Sequence, residues 1–238
     1  MRTLCIDIGG SGIKAMILDG TGKPVTERQR VETPQPAEPA AVIDATVALV
    51  ETVGAYDRIS VGYPGVVVGG VTRTGHNLGE GWGDFPLARA LEERLGKPVR
   101  AANDAGVQGL GVVEGKGTEV VLTLGTGMGF GLYIDGIYVP NIEMAHHPFD
   151  GKKTYEERVS DKARKKLGLE RWEKRVREVV DQLRPILNWR RLYLGGGNAR
   201  RMIGTWPEDV TIVDNTAGLL GGFKLWADAP AKKRTVKA

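Results

Sequence analysis

The sequence predicts an α/β protein built from two related halves. Strand-like and helix-like stretches alternate along its 238 residues. CIDIGGSGIKAMILDG, residues 5–20, sets a glycine-rich turn between two apolar strand patterns. VLTLGTGMGFGLYIDG, residues 121–136, superimposes on it without a gap: apolar alternation, glycine turn and closing Asp-Gly fall in the same places. Identities are few (Gly9 with Gly125, Asp19 with Asp135, Gly20 with Gly136), so pattern rather than identity points to two equivalent hairpins.

The elements follow in order. TLCIDIG alternates Leu4, Ile6 and Ile8 against Cys5 and Asp7, a strand. IKAMILD is a second strand, and the turn at Asp19-Gly20 leads to a third, KPVTERQRVET. After the connector TPQPAEP, Val42, Ile43, Val47 and Val50 share one side of a helix. RISVGYPGVV is a strand running into a Pro64-Gly65 turn. GVTRTGHNLGEGWGDF reads as loop, PLARALEERLG as a helix closed by Gly96, and KPVRAAND as a strand with a polar end. Beyond the second hairpin come a polar loop, NIEMAHHPFDGKKTYEERVS, and a helix through the 160s to 180s. RRLYLGGGNARRM reads as strand, glycine turn and helix start at Asn198, and DVTIVDNTAGLLGGFKLW as strand, loop and helix. The expected division is 1–104 and 105–225, with a final helix at about 226–238 packing back on the first half.

Composition narrows the function classes. Apolar content of 41% is that of a globular chain. No run is long and apolar enough to span a membrane, and the first strand starts at Arg2, so a cytoplasmic protein with no membrane partner is expected. The single cysteine, Cys5, excludes an internal disulfide and reads as a small buried strand residue. Net charge is +4, with the basic excess concentrated in residues 161–191 and the tail AKKRTVKA. Such a surface suits a polyanion. Glu170, Glu173, Glu178 and Asp181 are interleaved in it, so it equally suits a solvated helix face.

The first glycine loop lacks GxxxxGK[ST], and no helix follows it, so it is neither a P-loop nor a dinucleotide fingerprint. A tight hairpin of this kind exposes successive backbone N–H groups. Gly9, Gly10 and Gly12 permit close approach, Ser11 adds a hydroxyl, and Lys14 reaches a phosphate as a point charge. Gly125, Thr126 and Gly127 repeat the device, and two facing hairpins can clamp one phosphate chain. Asp7, beside the first turn, would repel a phosphate unless a cation intervenes; it reads either as a Mg²⁺ ligand acting through water or as a stabiliser of the hairpin. Gly195, Gly196 and Gly197 form either an anion or nucleotide site behind a helix start or a plain tight turn.

DIGGSGIK, VRAANDA, LTLGTGMGFG, IEMAH and LYLGGGNAR, in this order, resemble the ROK sugar kinases of the actin-like ATPase superfamily, and within them the bacterial polyphosphate glucokinases. GKKTYEERVS and DNTAGLLGGFKLW extend the likeness over essentially the whole chain. The resemblance implies two ribonuclease-H-like domains flanking a cleft. It implies phosphoryl transfer to the 6-hydroxyl of glucose from polyphosphate, ATP or both, with Mg²⁺, in a homodimer. Asp104 would be the catalytic base, with Asn103, Glu143, His146 and Glu156 on the sugar. Gly196 and Gly197 would join the phosphate side, and Gly65 and Asn77 either line the sugar side or are ordinary turn residues.

Chemistry supports these roles beside the resemblance. Phosphoryl transfer needs positioning, charge neutralisation and an acceptor for the hydroxyl proton. A carboxylate with a pKa of about 4 is ionised at neutral pH and accepts that proton late. Asn103-Asp104 also suits a helix cap, and the two roles are compatible. A carboxylate and a neutral imidazole match the paired donors and acceptors of a hexose. In many ROK proteins the matching histidine ligates zinc with three downstream cysteines; those cysteines are missing here, so no zinc site is expected.

The chain departs from the usual pattern at Ser11 (commonly Thr), Ala145 (commonly Gly) and the glycine-rich AGVQGLG after Asp104. Kinases for other hexoses and a non-catalytic sugar or nucleotide sensor are the competing functions. ROK transcription regulators carry an N-terminal helix-turn-helix, and this chain opens on a strand, so no nucleic-acid partner is expected.

Overall fold

The computed structural model describes residues 1–75, 78–213 and 217–227. Each half is organised around a five-stranded sheet. In the first, β1 (Thr3–Ile8) and β2 (Ile13–Leu18) form the glycine hairpin. β3 (Gln29–Val31) pairs antiparallel with β2 at one edge, and β4 (Arg58–Tyr63) and β7 (Val99–Asn103) continue in parallel from β1. The order is β3-β2-β1-β4-β7. The second sheet has β8 (Thr118–Leu124), β9 (Met128–Ile134), β10 (Ile137–Val139), β11 (Arg191–Gly195) and β12 (Val210–Ile212) in the order β10-β9-β8-β11-β12. The two orders are the same topology, so the halves are structural repeats. The hairpins differ by one residue: Ile8 pairs with Ile13 across a four-residue loop, Leu124 with Met128 across a three-residue one. The gapless superposition of residues 5–20 on 121–136 therefore slips by one at the turn. Asp135-Gly136, both at positive φ, make the two-residue turn into β10, whereas Asp19 binds the N–H groups of Thr21 and Lys23 and opens a longer loop. That loop leaves the third strand far shorter than expected.

Each sheet buries its own apolar layer. On the first, α1 (Pro39–Val50) lays Val42, Ile43, Leu49 and Val50, and α2 (Leu87–Leu95) lays Leu87 and Leu91, against Ile6, Ile8, Ile59 and Val61. Gly96 closes α2 at φ +64, where only glycine avoids a steric cost. Residues 66–73 hold a small hairpin, β5 (Val67–Val68) and β6 (Val71–Thr72), where a loop was expected. Trp82 is buried on Tyr63 and Phe85 with its indole N–H on Ala37 O, a packing role.

On the second sheet, α4 (Tyr155–Val159), α5 (Asp161–Leu167) and α6 (Leu169–Leu187) cover Val120, Leu122 and Leu192 with Trp172, Val176, Val180 and Leu183. A capping box of Thr154 and Glu157 starts α4. The expected helix at Asn198 is a single 3-10 turn, Ala199–Arg201.

Helix α3 (Asp104–Leu110) bridges the halves. It leaves the end of β7, and Ala105 and Gly106 lie against Gly129 and the tyrosines of the second sheet. The chain end returns through α7 (Ala217–Leu220) and a 3-10 segment, Gly221–Trp226, which packs on the first half: Ser60 Oγ donates to Gly222 O, and Trp226 lies under Arg58 and Arg100. The returning segment thus ends at Trp226, where the helix expected at about 226–238 was to begin, and residues 228–238 of that helix lie outside the described residues.

Candidate active site

A cleft of about 990 Å³ opens between the two glycine hairpins, walled by both halves. Asp7, Gly9, Gly10, Ser11, Lys14, Gly65, Asn103 and Asp104 line it from the first half. Gly125, Thr126, Gly127, Glu143, His146, Glu156, Gly196 and Gly197 line it from the second. Residues far apart in sequence are thereby gathered into one site. Gly12 does not reach the cleft surface; it is buried beneath the Arg30 guanidinium, which lies 2.7 Å from where a Cβ would be. Asn77 lies outside the described residues, as does His76.

The first loop is shaped by its carbonyls. Gly9 N–H donates to Gly12 O and closes the turn. Thr33 Oγ1 donates to Gly9 O, Gln35 Nε2 to Gly10 O (3.3 Å) and Arg30 to Ser11 O (2.9 Å). A trans peptide sets each carbonyl opposite the next N–H. Tying back three carbonyls therefore aims the N–H groups of Gly10, Ser11 and Gly12 away from those three side chains. The N–H groups of Gly9 and Gly125 are spent inside their own loops, so the cradle has fewer donors than glycine count alone suggests.

The second loop is braced from below. Gly125 N–H donates to Gly127 O. Asn198 Nδ2 and Asp161 N both donate to Gly125 O (3.1 and 3.0 Å). Glu156 accepts from Met128 N at 3.1 Å, and its carboxylate oxygen fills the space where a Gly127 side chain would be. Its carboxylate is thus engaged by the loop backbone as well as facing the cleft. Gly196, at φ +89, lies with its Cα against Leu124; a Cβ there would be 2.4 Å from Leu124 O.

Asp104 sits where β7 hands over to α3. Asn103 caps the helix, its Oδ1 accepting from Gly106 N (3.2 Å) and its Nδ2 donating to Gly65 O (3.3 Å). Asp104 Oδ1 accepts from Ala105 N at 2.7 Å. Across from it, Asp7 is bound by Lys14 at 2.7 Å. Between the two carboxylates lies Gly62, whose Cβ would be 3.4 Å from Asp104 Cα and 3.8 Å from Asp7 Oδ1.

This crowding sets the electrostatics. Burial, then the Asp7 charge, raise the Asp104 pKa to about 7; Glu143 adds to the rise, while Ala105 N–H and Lys14 oppose it. The expected ordinary carboxylate is thus corrected: Asp104 is poised near neutrality, the range that suits a general base. Two carboxylates offset by one lysine leave local negative charge. Among the described residues no three metal-ligating side chains gather, and one carboxylate acting through water, completed by phosphate oxygens, is the donor set Mg²⁺ accepts.

Glu143 and His146 face the cleft from either end of one 3-10 turn (Met144–His146), Oε2 to Nε2 3.6 Å. His147 instead places Nδ1 on Pro148 O.

The glycine-rich start of α3 has a steric reason. Tyr138 occupies the space of a Gly106 side chain (2.2 Å) and the Tyr133 hydroxyl that of Gly109 (2.0 Å). Tyr133, fully buried, donates to Gly106 O at 2.7 Å and clasps the helix that carries Asp104. The departure at these glycines was visible in the sequence, but neither the close approach they permit nor its partners were.

The basic stretch at 161–191 does not line the cleft. Arg164 and Lys165 pair with Asp161, Arg177 with Glu173, Arg184 with Asp209, and Arg190 and Arg191 with Glu114. The cations at the cleft are Lys14, Arg28, Arg30 and Arg200. The spacing of Arg28 and Arg30, two residues apart at the start of β3, was the available signal.

Comparison with known proteins agrees with this geometry. A polyphosphate glucokinase of Mycobacterium tuberculosis is 34% identical over 91% of this chain and 88% of its own. The inorganic polyphosphate/ATP-glucomannokinase of Arthrobacter sp. strain KM superimposes with a TM-score of 0.85 at 32% identity, over 94% of this chain and 97% of that one. A ROK family glucokinase from Streptomyces griseus, solved with glucose and AMPPNP, shares the fold with a TM-score of 0.76 at 20% identity, over 94% and 99% of the two chains. Residues 3–143 match the ROK family model: the chain belongs to the ROK family.

Proposed function

We propose that this protein is a glucokinase that transfers a phosphoryl group from polyphosphate or ATP to the 6-hydroxyl of glucose. The observation that carries the proposal is the placing of Asp104, with a pKa near 7, at the junction of two glycine hairpins. Its likeness to a polyphosphate glucokinase and to a polyphosphate/ATP-glucomannokinase supports the same reaction.

In this reading the halves 1–104 and 105–225 act as two domains of the ribonuclease-H-like kind and close on the substrates. Asn103, Glu143, His146 and Gly65 hold the sugar, with Asn77 and Glu156 beside them. The sugar hydroxyl comes to the Asp104 carboxylate, which takes its proton as the oxygen attacks the terminal phosphorus. The hairpin N–H groups, Thr126 and Lys14 steady the donor oxygens, and Gly196-Gly197 border them. Mg²⁺, held through water by Asp7, would neutralise charge developing on the donor. Closure that excludes water limits wasteful hydrolysis. A cytoplasmic homodimer completes the proposal; among the described residues no helix is long and apolar enough to cross a membrane.

Coupled detection of glucose 6-phosphate with polyphosphate alone and with Mg-ATP alone tests it. Turnover with at least one donor is expected; none with either defeats it. A hexose panel separates glucose from mannose as the better acceptor.

A further inference from the structure

Register aligns a row of charged side chains across the first sheet. Asp7 pairs with Lys14, and Lys14 with Arg30. Residues directly opposite across strands share a face. Arg28 precedes Arg30 by two residues, and both line the cleft. Asp104 follows β7, four strands from β3, roughly 19 Å away at a strand spacing of about 4.8 Å. The row therefore runs outward from the reacting centre.

Its cations are unmatched. Lys14 is offset by Asp7, but Arg28 and Arg30 have no carboxylate within salt-bridge distance among the described residues. Arg30 reaches only the Ser11 carbonyl; Arg28 is exposed. By contrast, the arginines 164, 177, 184, 190 and 191 of the basic stretch away from the cleft are acid-paired. Unmatched guanidinium groups in a polar cleft collect anions, and guanidinium binds phosphate oxygens bidentately.

We propose that Arg28 and Arg30 form a distal subsite for the inorganic polyphosphate donor, gripping phosphates beyond those held by the hairpin loops. The assignment rests on the kinase reading above. A nucleotide stops carrying charge after its third phosphate, where ribose begins; an inorganic chain carries charge on every unit. Only the latter gains from cations placed beyond the loops. Arg28 and Arg30 thus set the preference between donors, while Asp104 and the loops serve both. Arg30 also braces Ser11 and Gly12, so Arg28 is the cleaner probe.

The test measures kcat and KM for long-chain polyphosphate and for Mg-ATP, glucose saturating, in wild type, Arg28→Ala, Arg28→Lys and Arg28→Glu. For Arg28→Ala the polyphosphate KM is expected to rise about tenfold, at least fivefold more than the ATP KM, with kcat for polyphosphate within twofold. Arg28→Glu should raise it further, and Arg28→Lys should restore most of the loss. Salt should weaken polyphosphate binding less in Arg28→Ala than in wild type. Equal KM changes for both donors, no change for either, or a wild type that uses ATP alone would overturn the subsite. A wild type inactive with both donors would instead defeat the kinase reading itself.

Discussion

Asp104→Asn should make the protein more stable at alkaline pH while disabling it. Asparagine keeps the size and an oxygen that can accept from Ala105 N–H, but never ionises. The native carboxyl has a pKa of about 7 against an ordinary value of 3.8, because burial, Asp7 and Glu143 disfavour its charge. Unfolded, it ionises near its ordinary value. A carboxyl with a raised folded pKa favours the folded state fully below the unfolded value, and that contribution is lost as pH rises through the folded one. At pH 4 wild type and variant should therefore be about equally stable. The gap should open between pH 4 and 7 and level off above. Three units at about 1.36 kcal/mol each make its full size on the order of 4 kcal/mol. For a chain of this length that is a melting-temperature gain of roughly 10 °C at pH 8. Loss of the general base should lower kcat by about 10²–10⁴-fold. Thermal melts at half-unit pH steps, without donor or divalent cation, provide the check. A variant no more stable than wild type at pH 8, or a gap independent of pH, would refute the crowded-carboxylate account.

Other substitutions probe the supports of the same site. Gly62→Ala would bring a methyl into ordinary van der Waals contact with Asp104 and Asp7 and should be tolerated, with little change in kcat or stability, read by steady-state kinetics and melting. Tyr133→Phe removes a buried hydroxyl that clasps α3; about 1–2 kcal/mol of stability should go, with kcat falling more than the glucose KM rises. Glu119, fully buried, is an ionised anchor far from the chemistry. Burial works to raise its pKa, yet the N–H groups of Glu114, Lys116 and Gly115 and the Tyr193 hydroxyl hold it below the usual range. Glu119→Ala should cost about 3–5 kcal/mol by denaturant titration at pH 7 and less as pH falls through the folded pKa, because that carboxylate's stabilisation is lost in acid.

Much of this was legible in the chain. Strict alternation in TLCIDIG and IKAMILD announced the first hairpin, and the repeat at 121–136 announced the second sheet, because period-two patterns survive sequence divergence. The one-residue difference between the loops was not legible: glycines at either length satisfy the same pattern. Asp104 was found by its motif, but its pKa was not, since Asp7 and Glu143 approach it only through tertiary folding. The basic stretch at 161–191 attracted attention by local density. Arg164, Arg177, Arg184, Arg190 and Arg191 proved paired with Asp161, Glu173, Asp209 and Glu114, and Asp209 and Glu114 are remote in sequence. Arg28 and Arg30 were overlooked because one charge in a short edge strand and another just before it look like solvated residues until the cleft wall is seen.

Transfer of phosphate from polyphosphate to glucose, followed in a single turnover by wild type and by Asp104→Ala, bears most directly on the central claim. Rapid glucose 6-phosphate formation by wild type and a rate at least a hundredfold lower in the variant, with glucose binding retained, is the predicted result. An Asp104→Ala protein that forms the product at the wild-type rate would contradict it.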